Sequence, residues 1–104
     1  MSRPISRQII SRALETLSDQ RRWTMRAAVS RSQNNVVQYC AFGALAYAAN
    51  EYAASVSEAR ELALRAEAAV VNANRWPPGT RISQFNDSNT HEDVIAALRC
   101  AAQS

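Results

Sequence analysis

The sequence predicts a mainly α-helical protein built as a single domain over residues 1–104. Alanine, the strongest helix former, is the commonest residue with 20 copies. Apolar residues recur at intervals of three and four along most of the chain, which is the spacing of a buried helix face. Polar, turn-forming residues interrupt this pattern twice. We therefore expect a compact four-helix domain with two irregular connections, at 20–35 and 73–89, and room in them for a short two-stranded element.

The first helix is expected from Pro4 to about Asp19. Proline suits the first helical position, where its missing N–H costs nothing. One face carries an apolar stripe of Ile5, Ile9, Ile10, Ala13, Leu14 and Leu17. The following connection is predicted to hold a short strand at Trp23–Val29 and a turn at Asn34-Asn35.

The second helix is expected from about Val36 to Tyr52. Its small-residue face includes Gly43, and a mid-helix glycine costs roughly 1 kcal/mol against alanine. Close packing of another helix would offset that cost, and so would the approach of a ligand. We favour packing and keep both interpretations open.

Two capping sequences predict the starts of the remaining helices. Ser55-Val56-Ser57-Glu58 places one start at Ser55, and that helix runs to about Asn72. The proline-rich stretch 74–80 cannot be helical, and the alternation in 81–85 favours a short strand or extended loop. A turn is expected at 86–89, and then Thr90-His91-Glu92-Asp93 opens a last helix that ends near Ala102.

Charge is distributed unevenly along the chain. All 12 basic residues are arginine, a side chain whose planar fork suits phosphate and carboxylate. Residues 1–35 carry seven Arg against Glu15 and Asp19, a net charge of +5, whereas residues 36–104 carry five Arg against seven acids, a net charge of −2. A basic segment on a nearly neutral body indicates an anionic partner.

Several classes of function are disfavoured. One His and two Cys, far apart, match no structural zinc spacing, so we expect no metal and no cofactor. No apolar stretch reaches the roughly 18 residues of a membrane span, and no signal peptide is evident. Cysteines without a secretion signal favour the cytoplasm. No basic recognition helix is present, so sequence-specific binding of duplex DNA is not expected. The core has few large side chains, which makes a homo-oligomer plausible.

The candidate ligand-binding residues come from the two irregular connections and from the start of the last helix. Arginine forks bind anions, tryptophan can stack on a base, and a helix N-terminus offers free backbone N–H groups. These candidates are Arg21, Arg22, Trp23, Arg26, Tyr39, Arg75, Trp76, Arg81, Asn86, Asp87, Thr90 and His91.

Two interpretations of Asn86 and Asp87 stay open. Their side chains commonly bond nearby backbone N–H groups, so they can lock the entry to the last helix against Cys40 and Gly43. If they face a cavity instead, they can read a base edge or a ribose hydroxyl.

Three motifs carry a resemblance to a known family. They are the helix end from Leu17 to Trp23, the run Tyr39-Cys40-Ala41-Phe42-Gly43-Ala44-Leu45, and Phe85-Asn86-Asp87 followed by Thr90-His91-Glu92-Asp93-Val94. In this order, over about residues 7–102, they resemble a family of small bacterial and bacteriophage proteins classed only as a domain of unknown function. The chain departs from that family's pattern in one place. Only Ser88 and Asn89 stand where the family usually has a longer Pro-Gly-Arg-type turn, so an arginine that could contact a ligand there is missing.

The resemblance draws attention to Trp23, Tyr39, Cys40, Gly43, Phe85, Asn86, Asp87 and Thr90, and suggests a phage or mobile-element setting. It implies no activity. We expect a non-enzymatic protein that sequesters a nucleotide-like anion in a pocket. One alternative is an inhibitor or adaptor whose Arg-rich segment binds an acidic surface on a host protein or nucleoprotein complex. Another is a Cys-dependent enzyme that uses Cys40 with His91 and Asp87.

Overall fold

A computed structural model describes residues 5–32 and 34–104 of the chain. Within these ranges there are five α-helices, one turn of 3-10 helix at Gln20–Arg22 and a two-stranded antiparallel sheet. The elements are α1 (Ile5–Leu17), β1 (Val29–Arg31), β2 (Val37–Tyr39), α2 (Ala41–Ala49), α3 (Val56–Ala73), α4 (Ile82–Ser88) and α5 (His91–Ala102). The mainly α-helical class and the small sheet are confirmed, but the expected count of four helices is too low by the short helix α4.

Helix α1 is the central element of the fold. It packs against α2, α3 and α5, and its apolar stripe buries Ile9, Ile10, Ala13 and Leu17. The helix ends at Leu17 rather than near Asp19, because the Asp19 carboxylate accepts the backbone N–H of Arg21 at 3.0 Å and caps the 3-10 turn instead. Pro4, expected at the first helical position, lies outside the described residues.

Alanine dominates the buried faces of α2 and α3, which pack against each other. The largest fully buried side chains are a short list: Ile9, Ile10, Leu17, Leu45, Ile82, Leu98, Val70, Val94 and Asn86. One of these is a polar amide. The core therefore depends on many small contacts and on the buried hydrogen-bonding side chains of Asn86 and Glu67.

The hairpin β1–β2 occupies positions that we assigned to a helix and to a connection. Val29 pairs with Tyr39 and Arg31 with Val37, and Trp23 adds an isolated parallel bridge to Tyr39. The strand expected at Trp23–Val29 thus begins only at its last residue, and the helix expected from Val36 begins at Ala41. The segment that precedes Cys40 includes Val37 and Tyr39, which favour strands, and it pairs with β1. The turn predicted at Asn34-Asn35 is confirmed by the bond from Asn35 N–H to the Ser32 carbonyl, 2.9 Å.

Gly43 lies against the backbone of the connection at 20–35, and not against another helix or an open cavity. A Cβ added there would lie 1.9 Å from the carbonyl oxygen of Ala28. The same oxygen accepts the backbone N–H of Cys40 at 3.2 Å. The two interpretations of this glycine, packing of another helix and approach of a ligand, are therefore both wrong. Gly43 instead allows residues 27–28 to cross over the start of α2.

Residues 82–88 form helix α4, so the strand or extended loop expected at 81–85 is wrong. Ile82 and Asn86, four residues apart, share the buried face. A carboxylate from α3, that of Glu67, accepts the first backbone N–H of the helix, at Ile82, with a distance of 2.9 Å. The turn expected at 86–89 is the end of this helix, where the Asn89 amide donates to the Phe85 carbonyl at 2.9 Å.

Both predicted capping sites are confirmed. The Ser55 hydroxyl accepts the Glu58 N–H at 3.2 Å, and Thr90 and Asp93 form a complete reciprocal capping box at the start of α5. None of the helices in the described part of the chain is long and apolar enough to cross a membrane.

Candidate anion-binding site

The two irregular segments that we proposed as a site meet at the side chain of Asn86. This side chain is completely buried. Its Oδ1 accepts the indole N–H of Trp23 at 2.7 Å and the backbone N–H of Ala41 at 2.9 Å. Its Nδ2 donates to the carbonyl of Thr24 at 3.0 Å and to the carboxylate of Asp87 at 3.3 Å. All four hydrogen-bonding positions of the amide are used within the fold, so Asn86 is not placed to read a ligand.

Asp87 holds the neighbouring stretch of the connection. Its Oδ1 accepts the backbone N–H of Arg26 at 2.7 Å. Arg26 has φ of 64°, in the left-handed region that non-glycine residues rarely adopt. The carboxylate therefore stabilises an unfavourable backbone conformation and leaves the Arg26 side chain exposed to solvent.

Trp23, Thr90 and His91 form a second set of contacts within the fold. The Trp23 and His91 rings lie 5.6 Å apart, centroid to centroid. The Nε2 of His91 donates to the carbonyl of Leu17 across 2.6 Å, and the Thr90 hydroxyl caps α5 by accepting the Asp93 N–H. The bond from His91 ties the start of α5 to the end of α1 and uses Nε2 of the ring, while Thr90 and His91 also line a separate cleft with Arg99.

Arg22 and Tyr39 lie beside Tyr47 of α2, whereas Arg21 pairs with Asp19. Nε and Nη2 of Arg21 donate hydrogen bonds to the Asp19 carboxylate, at 3.1 and 2.8 Å. These hydrogen bonds lower the pKa of the Asp19 carboxyl and raise the pKa of Arg21. Tyr39 is buried against Tyr47 with ring centroids 5.1 Å apart, and the Arg22 guanidinium lies 5.7 Å from the Tyr39 ring centre.

The guanidinium of Arg81 is bonded on its inner side by the buried carboxylate of Glu67. Its Nε lies 3.2 Å from the Glu67 carboxylate, whose side chain is 7% exposed, whereas the Arg81 side chain is 51% exposed. Among the described residues, no acceptor bonds the two terminal nitrogens of Arg81. The guanidinium also lies over the ring of Phe42 at 5.7 Å. Its position is fixed while its terminal edge stays open to solvent.

Arg26 and Arg81 line the same cleft, of about 250 Å³, although they are far apart in sequence. Its other walls include Phe42, Ser83 and Asp87. Two arginines, an aromatic residue, a serine and an aspartate thus line one small concavity. Of the twelve predicted residues, these two arginines and Asp87 are the ones that the cleft brings together.

Arg75 and Trp76 belong to a different surface. Trp76 packs on Phe85 with ring centroids 4.4 Å apart and lines a cleft of about 300 Å³ on the side of α3, which also reaches Arg81. Arg75 is exposed, with φ of 59°. The predicted site residues are thus spread over more than one surface.

Cys40 serves as the N-terminal cap of α2. The thiol is buried, and its sulfur accepts the Gly43 N–H at 3.3 Å. The other members of the thiol–imidazole–carboxylate set have partners of their own: His91 bonds Leu17, and Asp87 bonds Arg26. No cluster of three or more metal-binding side chains occurs over residues 5–32 and 34–104.

Sequence reasoning missed Phe42, Glu67 and Ser83. Glu67 carried a signal, because it is an acid on the inner stripe of α3 between Ala63, Ala66 and Val70, where a charge needs a partner. Phe42 carried a weaker one, as the largest side chain in the first turn of α2. Ser83 had no signal, because the helix that positions it was not predicted.

The chain matches a protein family model. The model of a family of unknown function, DUF6197, matches residues 1–104. This confirms the resemblance to a small domain-of-unknown-function family, while the three motifs that suggested it stay our own interpretation. Neither a curated protein nor a solved structure matches the chain significantly.

Proposed function

The chain belongs to DUF6197, a family of unknown function, and we propose that it is a non-enzymatic protein that binds a nucleotide-like anion between Arg26 and Arg81. The observation that carries the proposal is that both arginines line one cleft, although they come from the two separate segments that the sequence singled out. Paired arginine forks are the preferred protein ligands of phosphate groups.

The charges around the cleft favour a nucleotide over a simple polyanion. Asp87 lies in the cleft and Glu67 stands behind Arg81, so two carboxylates offset the two guanidinium groups. A ligand that fits must combine an anion with hydrogen-bond donors. A nucleotide does so: its phosphate suits the arginines, its ribose hydroxyls suit Asp87, and its base suits the ring of Phe42.

A panel of nucleotides tests the proposal. AMP, ADP, cyclic AMP, cyclic GMP and inorganic phosphate are titrated calorimetrically, and native mass spectrometry looks for a ligand carried through purification. We expect at least one nucleotide to bind more tightly than phosphate. Arg26→Gln should weaken its binding at least about tenfold, because a charge-assisted bond is lost. Arg60→Gln, on the exposed face of α3, is the matched control. If no nucleotide binds, or if both variants behave alike, the proposal is wrong.

A second candidate function is an inhibitor or adaptor that binds an acidic protein surface through the connection. Its support is the exposure of Met25 and Val29, at 37% and 56%, beside the exposed Arg21 and Arg31. Apolar side chains ringed by arginine are typical of protein interfaces. Replacing Arg21, Arg22 and Arg26 by Glu should abolish capture of a partner without unfolding the protein, and unchanged capture would exclude this function.

The cellular setting belongs to the same proposal. We propose a cytoplasmic protein in a phage or mobile-element context, on the basis of the motif resemblance and the two unpaired cysteines. The alanine-rich core leaves a homo-oligomer as part of the proposal, and the mass of the native assembly tests it directly.

A further inference from the structure

A second cleft lies between α3 and the loop that follows it, and its character is mainly apolar. Leu64 and Val71 of α3 form one wall, and Trp76 and Pro78 of the loop form the other. The volume is about 300 Å³, within the range of small-molecule sites. Leu64 is 37% exposed there, although it is a large apolar side chain.

The loop wall of this cleft is preformed. The N–H of Trp76 bonds the Val71 carbonyl at 3.0 Å, which closes the end of α3 and fixes the indole above it. Trp76 also packs against the ring of Phe85. Residues 77–80 form a tight turn with the Thr80 N–H bonded to the Pro77 carbonyl at 3.1 Å, and Gly79 supplies the φ of 87° that the turn needs. A ligand would therefore meet a rigid surface and would not have to order it.

Arg81 gives this apolar cleft one charged end. Glu67 holds Nε from the buried side, and the terminal nitrogens of the half-exposed guanidinium have no acceptor among the described residues. The planar edge formed by these two nitrogens matches a single carboxylate. Glu67, with its side chain 7% exposed, is covered by its partners and presents little negative surface to a ligand.

We infer that this cleft binds a small monocarboxylate with an apolar body. The carboxylate lies on the terminal edge of Arg81, and the body lies between Trp76 and the Leu64–Val71 face of α3. The inference does not require a nucleotide in the Arg26 cleft, although both sites use Arg81.

Phenylacetate and its neutral analogue 2-phenylethanol are the probes. Each is titrated into the isotopically labelled protein and followed by two-dimensional NMR, with the Trp76 indole N–H and the Gly79 amide as reporters. We expect saturable shifts of both signals with phenylacetate, and binding of 2-phenylethanol at least about tenfold weaker, because it lacks the charge-assisted bond. Hexanoate, which has an aliphatic body, tests whether the cleft requires a ring.

Two variants separate the site from its surroundings. Ala68→Trp fills the cleft from an exposed position on α3 and should abolish phenylacetate binding, whereas Ala96→Trp, at an exposed position on α5, should not. Arg26→Gln should leave phenylacetate binding unchanged even if it weakens nucleotide binding. Equal affinity for both probes, no saturable binding, or full binding by Ala68→Trp would each overturn the inference.

Discussion

At the scale of single residues, Asn86 explains why the sequence motifs lie where they do. Its amide oxygen accepts the indole N–H of Trp23 and the backbone N–H of Ala41 at the start of α2. Its amide nitrogen donates to the neighbouring Asp87 carboxylate in α4. A buried amide that satisfies two donors and two acceptors costs little to bury, but its loss leaves the Trp23 and Ala41 N–H groups and the Thr24 carbonyl without this partner. The motif residues on either side of it therefore have a structural explanation that needs no ligand.

Asn86→Ala should destabilise the protein by about 3 kcal/mol or more. The Trp23 indole N–H, the Ala41 N–H and the Thr24 carbonyl would each lose a partner in a buried region, and each loss costs about 1–3 kcal/mol. Urea unfolding measures the change. Asn72→Ala, at an exposed position in α3, is the control and should be neutral or slightly stabilising. Equal effects of the two substitutions would show that the amide network is not important for stability.

At Arg75, unlike at Asn86, the backbone conformation favours replacement, here by glycine. It has φ of 59° immediately after the end of α3, where its N–H bonds the Asn72 carbonyl at 3.1 Å. Glycine is the preferred residue at this position of a helix terminus. Arg75→Gly should stabilise the protein by about 0.5–1 kcal/mol, because relief of the left-handed strain exceeds the entropy that glycine costs. A lower unfolding midpoint would mean that the exposed guanidinium has a stabilising partner.

At the scale of elements, the sequence predicted the starts of those helices that begin with a capping serine or threonine. Ser55 and Thr90 have side chains that cap a helix locally, so the starts of α3 and α5 could be read from a few neighbouring residues. The starts of α2 and α4 could not. Helix α2 begins where β2 ends because Tyr39 pairs with Val29, and α4 begins where Glu67, fifteen residues earlier, accepts the Ile82 N–H. Contacts between distant segments override local propensity there.

The crossing of the connection over α2 makes Gly43 an obligatory glycine for steric reasons. Gly43→Ala should destabilise the protein by about 2 kcal/mol, even though alanine is the better helix former, because its Cβ would lie 1.9 Å from the Ala28 carbonyl oxygen. Gly79→Ala provides the contrast. It has φ of 87° and no atom within 4 Å of the added Cβ, so only backbone strain of about 1 kcal/mol is expected. Thermal unfolding of both variants compares the two mechanisms, and a stabilised Gly43→Ala protein would contradict the close crossing.

At the scale of the whole molecule, the sequence predicted which segments carry the candidate site, but not which of their residues share a cleft. The charge pattern singled out the first connection, and the Arg, Trp and turn-forming residues of 73–89 singled out the second. The structure packs the two together through Trp23, Asn86 and Asp87. Which arginines share a cleft depends on where their backbones cross, and that depends on α4 and on Gly43. Arg26 and Arg81 therefore line one cleft, while Arg21 pairs locally with Asp19 and Arg75 is exposed elsewhere.

The same architecture predicts that the connection unfolds together with the helices. The amides of Thr24 and Cys40 bond the Tyr39 and Ala28 carbonyls, and the buried Asn86 amide joins this layer to α2 and α4. Native-state hydrogen exchange should give these two amides an opening free energy close to that of core amides in α1, which exchange only on global unfolding. The Asn35 amide, at the tip of the hairpin, should exchange faster and serves as an internal control.

Asp87→Ala tests whether that coupling depends on the contact with Arg26. Without the carboxylate, the N–H of Arg26 loses its acceptor, and the left-handed backbone at φ of 64° loses the hydrogen bond that stabilises it. Exchange at Thr24 should accelerate about tenfold or more relative to the core of α1, because a hydrogen bond to a charged group is removed. If Thr24 and Cys40 already exchange far faster than α1 in the unaltered protein, the connection is an independent, weakly held layer. The Arg26–Arg81 cleft would then have one rigid wall instead of two, and a ligand would have to order the second wall as it binds.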